Sequence, residues 1–242
     1  MTDLDDLRRR PRAAGIVLDF DGTLSEIVAR PELARPVAGT QAELSRLAER
    51  YRLVAILTGR RSEEVTAVLD VPRVSVLGLY GFEQGPSPNV AVTAPAVRAA
   101  AESVPEASVE DKGVSLAVHY RQAQDPVQAR RALLVALQPI AAKSGLDLIE
   151  GKMVLELVPA GRPMKGGAVE RLAREHAFEA MMYAGDDVAD LEAFRALDAL
   201  ASQGIRTVRV AVRGQETPEA LLEAADLVVE GPTGLVEFLR SL

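Results

Sequence analysis

The stretch GIVLDFDGTL, residues 15–24, decides the fold of this chain. An apolar run typical of a buried strand ends in two carboxylates, Asp19 and Asp21, which are separated by Phe20 and followed by Gly and Thr. Ligands of open α/β sheets bind at the carboxyl ends of the strands, so both carboxylates are expected to face one crevice, with Phe20 turned toward the core. Two carboxylates this close together favour the binding of Mg²⁺.

The composition excludes several functional classes. The chain has 242 residues, of which 48% are hydrophobic, so it can bury a substantial core in one or two domains. A net charge of −7 argues against nucleic acid as a partner, because a phosphate backbone requires a basic surface. The chain has no Cys. Of its two histidines, His119 fits the alternation of a predicted strand, and His176 lies near the end of a predicted helix, where His is favourable. Cysteine-dependent phosphatases are therefore excluded.

The sequence also predicts the surroundings of the protein. No segment approaches the roughly 18 apolar residues of a membrane span. Residues 1–12 lack the apolar centre of a secretory signal. We therefore expect a cytoplasmic protein without a membrane partner. With the charge argument against nucleic acid, a small-molecule substrate and a monomeric state are also expected.

Strand and helix patterns predict a parallel sheet. They alternate over residues 16–77 and again after residue 163, which is typical of parallel strands joined by right-handed crossovers. The first long helix is expected to begin at Thr40, which would form a capping box with Glu43.

A different pattern occupies the middle of the chain. Short strands joined by turns at residues 111–113 and 150–152 predict antiparallel pairs. Helices are expected over residues 95–103 and 126–144. The sequence therefore predicts an α/β protein whose parallel-sheet core, residues 1–92 and 160–242, carries an inserted α+β unit, residues 93–159.

Four groups of polar residues follow strands or precede helices of the predicted core. They are Asp19 with Asp21, Thr58-Gly59-Arg60, Lys165, and Gly185-Asp186-Asp187 with Asp190. A turn, a helix cap, a solvated lysine or a helix dipole would explain each group taken alone. Together they provide what phosphoryl transfer requires. Metal-binding carboxylates, a lysine and a hydroxyl can neutralise the phosphoryl charge, and one carboxylate can act as nucleophile while another acts as acid and base.

These groups resemble, in order, the four motifs of the haloacid dehalogenase superfamily of phosphohydrolases. The resemblance implies a Rossmann-like core with an inserted cap domain, and Mg²⁺ as cofactor. It implies that Asp19 is the nucleophile and Asp21 the general acid and base, and that Thr58 and Lys165 bind the phosphoryl group. It further assigns Gly59 and Arg60 to substrate binding. The metal site is assigned to Asp19 and to Asp186 together with the carbonyl of Asp21, with Asp187 and Asp190 as ligands or as partners of the metal's waters.

The inserted segment narrows the resemblance to one family. Residues 110–113, 119–121 and 155–157, together with GLYGFE at residues 78–83, are similar to trehalose-6-phosphate phosphatases. This resemblance implies hydrolysis of trehalose 6-phosphate and a trehalose-6-phosphate synthase as a partner in the same pathway. It also implies that four residues contact the sugar, namely Glu110, Lys112, Arg121 and Glu156. Tyr80, Ala189 and Leu191 depart from the family pattern, which has His or Asn at the first of these positions.

Other functions stay open at this point. The same mechanism could act on sucrose phosphate, mannosyl-3-phosphoglycerate or another sugar phosphate. A catalytically inert fold that only binds a sugar phosphate is the alternative from a different class. Glu110 and Lys112 could also be a surface pair beside a hairpin turn.

Overall fold

The structure is a computed structural model that describes residues 3–81, 88–160 and 164–242. The chain divides into two compact units, Met1–Gly81 with Pro163–Leu242, and Phe82–Arg162. Phe82 and Glu83 of the GLYGFE segment lie outside the described residues.

The strands form one parallel and one antiparallel sheet. In chain order the strands are β1 Ala14–Leu18, β2 Leu53–Leu57, β3 Ser75–Leu77, β4 Ser108–Asp111, β5 Leu116–His119, β6 Leu146–Gly151, β7 Val154–Pro159, β8 Ala180–Gly185, β9 Arg206–Arg213 and β10 Leu227–Glu230. The first unit contains a six-stranded parallel sheet in the order β10-β9-β8-β1-β2-β3, and the second contains a four-stranded antiparallel sheet in the order β4-β5-β7-β6. This arrangement confirms the predicted fold class.

Helices cover both faces of the parallel sheet. Alternate residues of β1 point to opposite faces, so Ile16 and Leu18 enter one hydrophobic cluster and Val17 enters another. Burial on both faces explains why the central strands are apolar throughout. The helices are α1 Asp3–Arg9, α2 Thr40–Arg50, α3 Ser62–Leu69, α4 Pro88–Glu102, α5 Pro126–Ser144, α6 Lys165–His176, α7 Asp190–Ser202, α8 Glu219–Ala224 and α9 Gly231–Arg240.

The second unit has its own core. Leu116, Val118, Leu155 and Leu157 lie on one face of the antiparallel sheet and pack with buried residues of α4 and α5. Ala117 of β5 and Glu156 of β7 therefore point to the opposite face, as does Glu110 of β4, which is in register with Ala117. The predicted extent of α5 agrees with the structure.

Two local predictions were wrong. Helix α4 does not begin at Pro95 but contains it, because an apolar stripe of Val90, Ala94 and Val97 continues across the proline. Helix α2 begins at Thr40 without a capping box: Gly39, with φ 90°, is the capping residue, and the Thr40 hydroxyl donates to the carbonyl of Val37 at 2.8 Å.

Among the described helices, none has both the length and the apolar character that crossing a membrane would require.

The core of the second unit can be tested on one helix. Leu133 of α5 is fully buried, whereas Val135 on the same helix is 76% exposed. We expect Leu133→Ala to lower the free energy of unfolding by about 2–5 kcal/mol, because it leaves a cavity. Val135→Ala should leave it unchanged or slightly raised, since Ala favours the helix. Urea unfolding followed by circular dichroism measures both, and equal effects would contradict the packing described.

Candidate active site

Asp19 is held rigidly at the end of β1. Its backbone N–H donates to the carbonyl of Ala184 on the neighbouring strand at 2.9 Å, which continues the sheet one residue past β1. The residue is 5% exposed. The sheet therefore fixes the backbone of Asp19, and its carboxylate has little contact with water.

Lys165, the first residue of α6, joins two carboxylates. Its Nζ lies 2.8 Å from Asp19 Oδ1 and 2.6 Å from Asp190 Oδ1, and the residue is 4% exposed. Burial alone would lower the pKa of Lys165, but Asp19 and Asp190 outweigh this effect and hold it well above its usual value. The lysine is therefore a permanent ammonium.

Asp190 uses both carboxylate oxygens within the protein. Oδ1 accepts from Lys165 and from the Tyr183 hydroxyl at 2.6 Å. Oδ2 accepts from the backbone N–H groups of Asp186 at 2.9 Å and Asp187 at 2.8 Å. A Cβ on Gly185 would lie 2.2 Å from Asp190 Cγ, so only glycine permits this approach. Asp190 thus orients the lysine and the loop after β8 together.

Tyr183 is the donor that Asp190 requires. Burial and the carboxylate of Asp190 raise the pKa of Tyr183 well above its usual value, so the phenol keeps its proton. The side chain is fully buried in β8, where its hydroxyl needs a partner.

Asp186 lies against the DGT turn of β1. Thr23, which is fully buried, donates from its hydroxyl to Asp186 Oδ1 at 3.2 Å. Gly22 has φ 82°, and a Cβ there would lie 2.0 Å from Asp186 Oδ2. Glycine is thus required at this turn both by the left-handed backbone and by the space that the carboxylate takes.

The carboxylates fit a divalent cation. Oxygens of Asp19, Asp186 and Asp190 all lie within 4.8 Å of one another. With Lys165 these three groups carry a formal charge of −2, from three carboxylates and one ammonium. Burial raises the pKa of Asp19 well above its usual range; Lys165 opposes this shift, and Asp190 and Asp186 add to it. A cation of charge +2 would balance the cluster.

The carboxylates of the other two predicted metal residues, Asp187 and Asp21, make contacts of their own within the protein. The Asp187 carboxylate accepts from the backbone N–H of Val188 at 2.6 Å. The Asp21 carboxylate forms a two-pronged ion pair with Arg60, whose Nε and Nη2 each lie 2.7 Å from an oxygen of Asp21. Arg60 also donates from Nη1 to the carbonyl of Pro31 at 2.6 Å. The structure therefore places Arg60 as the residue that orients Asp21.

Thr58 is anchored at the end of β2. It is 1% exposed, and its backbone N–H donates to the carbonyl of Leu77 on β3 at 3.1 Å. Its Oγ1 accepts from the backbone N–H of Arg60 at 3.1 Å, which curls residues 58–60 into a tight turn. A hydroxyl and backbone N–H groups in such a turn are suited to phosphoryl oxygens.

The antiparallel sheet brings together the predicted sugar-contacting residues Glu110 and Glu156. Glu110 on β4 and Glu156 on β7 are both in register with Ala117 of β5, the strand between them. The two side chains therefore lie on the same face of the sheet. Glu156, 5% exposed, accepts from Ser115 at 2.5 Å and pairs with Lys112 at 3.4 Å.

Glu110 of β4 contacts His119 of β5, and Arg121 follows shortly after β5 in the chain. Glu110 Oε2 lies 2.9 Å from His119 Nε2. Arg121 donates to the carbonyl of Lys152 at 3.2 Å.

Several residues of these clusters were missed from the sequence. Tyr183 and Thr23 support the carboxylates of the first unit, and Ser115 and His119 those of the second. A signal was present for Tyr183, because a hydroxyl within an otherwise apolar buried strand must find a partner. For Ser115 and His119 the signal was their even spacing with Ala117, which places them on the face of Glu110.

Two buried tyrosines test the Asp190 cluster. Tyr183→Phe removes a donor to a buried carboxylate, and we expect the free energy of unfolding to fall by about 1–2 kcal/mol. Tyr51 is the matched control, because its buried hydroxyl has no hydrogen-bond partner among the described residues. Tyr51→Phe should change the stability by less than about 0.5 kcal/mol or raise it. Both are measured by urea unfolding, and the Asp190 cluster described here would be refuted by equal losses.

Comparison with known proteins identifies the family. The model of the trehalose-phosphatase family matches residues 17–226. The chain is 33% identical to a trehalose-phosphate phosphatase of Mycobacterium avium and 34% identical to one of Mycobacterium marinum, in each case over 96% of this chain and 62% of the relative. It therefore spans about three fifths of the length of these relatives.

Solved structures show the same fold. The C-terminal domain of the C. albicans trehalose-6-phosphate phosphatase matches with a TM-score of 0.82 and 20% identity, over 99% of this chain and 94% of that one. Because the family model covers most of the chain, this protein belongs to the trehalose-phosphatase family.

Proposed function

We propose that the chain is a Mg²⁺-dependent phosphatase that releases trehalose from trehalose 6-phosphate. The observation that carries the proposal is the buried ammonium of Lys165 between Asp19 and Asp190, beside Asp186, in a chain of the trehalose-phosphatase family. A buried nucleophilic carboxylate with a fixed cation next to it suits attack on a phosphorus atom.

The metal would be held by the carboxylates of Asp19 and Asp186 and by the carbonyl of Asp21. Both oxygens of Asp190 already accept hydrogen bonds from the protein, so its role is to position its neighbours. When bound, Mg²⁺ neutralises phosphoryl charge and allows an anionic nucleophile to approach.

The chain's own residues supply the covalent steps. An Asp19 oxygen attacks phosphorus, and the bond between phosphorus and the sugar oxygen breaks as Asp21 gives that oxygen a proton. This leaves an aspartyl phosphate on Asp19 and a carboxylate on Asp21. Asp21 then takes a proton from the water that attacks phosphorus, and the bond between Asp19 and phosphorus breaks. This step releases inorganic phosphate and restores the Asp19 carboxylate and the protonated Asp21. Arg60 orients the Asp21 carboxylate for the proton transfer from water. Thr58, Gly59 and Lys165 bind the phosphoryl oxygens.

We assign sugar recognition to the second unit. Glu110, Lys112, Arg121 and Glu156 offer charged donors and acceptors, and carboxylates accept hydrogen bonds from vicinal hydroxyl groups. The support is the shared face of Glu110 and Glu156 and the buried pairing of Glu156 with Lys112. The assignment of residues 93–159 as a cap belongs to the same proposal, and the separate compact unit Phe82–Arg162 supports it. The cytoplasmic location and the monomeric state are carried over from the sequence analysis, and a synthase as pathway partner is implied by the family resemblance.

The covalent mechanism is tested with Asp19→Asn. This change keeps the shape of the side chain and removes the nucleophile, so we expect phosphate release from trehalose 6-phosphate with Mg²⁺ to fall at least about a thousandfold. Asp70→Asn, the same change at an exposed residue of the same unit, should retain wild-type activity. Substantial turnover by Asp19→Asn would contradict the mechanism. Equal wild-type activity on sucrose 6-phosphate would refute the assigned sugar.

Sugar recognition is tested with Glu156→Gln. Loss of a charged acceptor should raise the KM for trehalose 6-phosphate about tenfold or more. Turnover of p-nitrophenyl phosphate, which has no sugar, should stay within about twofold, because the chemical groups are untouched. Glu150→Gln is the matched control, since Glu150 of β6 pairs with Arg130 of α5 at 2.8 Å. Parallel losses on both substrates would argue against a role in sugar binding.

A further inference from the structure

The segment Leu79–Gly81 has an unusual backbone. Leu79 has φ 51°, Tyr80 has φ 57° and Gly81 has φ 80°, so three consecutive residues are left-handed. Glycine adopts this conformation freely, but Leu and Tyr do so at a cost in free energy. Such conformations persist where surrounding contacts hold them, and they concentrate at functional sites.

Backbone hydrogen bonds tie this segment to the Thr58–Arg60 turn. The N–H of Leu79 donates to the carbonyl of Arg60 at 2.8 Å, and the N–H of Tyr80 donates to the carbonyl of Thr58 at 2.8 Å. Two of the left-handed residues are therefore hydrogen-bonded to the turn to which phosphoryl binding is assigned. Their backbone conformation sets the direction in which the Tyr80 side chain leaves the backbone.

The Tyr80 ring lies between this turn and Lys165. A Cβ on Gly59 would be 2.8 Å from the Tyr80 hydroxyl oxygen and 3.0 Å from Cζ, so the outer edge of the ring contacts the Gly59 backbone directly. Lys165 Nζ lies 5.8 Å from the centre of the same ring, within the range of a cation–π interaction. One side chain thus contacts both groups that would bind the phosphoryl oxygens.

We propose that Tyr80 is a positioning residue of the phosphoryl-binding site, whose ring fixes the distance between the Gly59 backbone and the Lys165 ammonium. This proposal rests on the function proposed above for Lys165 and residues 58–60. The ammonium of Lys165 lies 2.8 Å from Asp19 Oδ1 and 2.6 Å from Asp190 Oδ1, and the Tyr80 ring is its aromatic neighbour. Gly59 is required because the ring leaves no space for a Cβ.

Two substitutions separate the ring from the backbone. Tyr80→Asn removes the ring, but Asn tolerates the left-handed conformation better than Tyr. We therefore expect its melting temperature to equal or exceed that of the wild type while kcat/KM for trehalose 6-phosphate falls about tenfold. Tyr80→Phe keeps the ring, and its kcat/KM should stay within about threefold of the wild type.

A phosphoryl analogue distinguishes this proposal from the proposed function. Binding of orthovanadate in the presence of Mg²⁺, measured by calorimetry, should weaken at least about fivefold in Tyr80→Asn and stay near the wild-type value in Tyr80→Phe. If the wild type does not hydrolyse trehalose 6-phosphate, the assigned substrate fails, but the vanadate comparison still tests Tyr80. Wild-type kinetics and vanadate affinity in Tyr80→Asn would overturn the proposal. So would losses in Tyr80→Asn that accompany a lower melting temperature, or equal losses in Tyr80→Phe.

Discussion

The buried ammonium of Lys165 is the constraint on which the first unit's site depends. An isolated charge in a protein interior is strongly unfavourable, so it requires opposite charges with good geometry. Asp19 and Asp190 provide them at 2.8 and 2.6 Å. The same lysine also keeps two carboxylates close together that would otherwise repel each other. Without it, burial of the acidic cluster at the end of β1 and β8 would cost far more.

Glycines make this charge density sterically possible. Asp186 occupies the space that a side chain at Gly22 would take, and Asp190 does the same at Gly185. The carboxylates can thus approach the backbone of β1 and β8. These two strands pair in the sheet although they lie more than 160 residues apart in the sequence. Tyr183 then completes the cluster from within the sheet, which links the fold of β8 directly to the geometry of the site.

Much of the fold and of the candidate site could be predicted from the sequence. The alternation of strands and helices indicated the parallel sheet, and the turns at residues 111–113 and 150–152 indicated the antiparallel pairs, because these signals are local. Local signals were wrong at Pro95, where tertiary packing of an apolar stripe outweighed the usual end of a helix. The helix start at Thr40 was correct, but the predicted capping box was wrong, because the Thr40 hydroxyl donates to the carbonyl of Val37.

The sequence by itself determined the fold class, the order of the polar groups at the strand ends and the kinds of chemistry that they can perform, since these follow from residue type and local periodicity. Only the tertiary structure decided which groups meet: Arg60 with Asp21, Tyr183 and Lys165 with Asp190, and Ser115 with Glu156. Most of these partners lie far apart in sequence. Their contacts depend on strand register and on the way side chains leave each helix and turn, which no local pattern specifies.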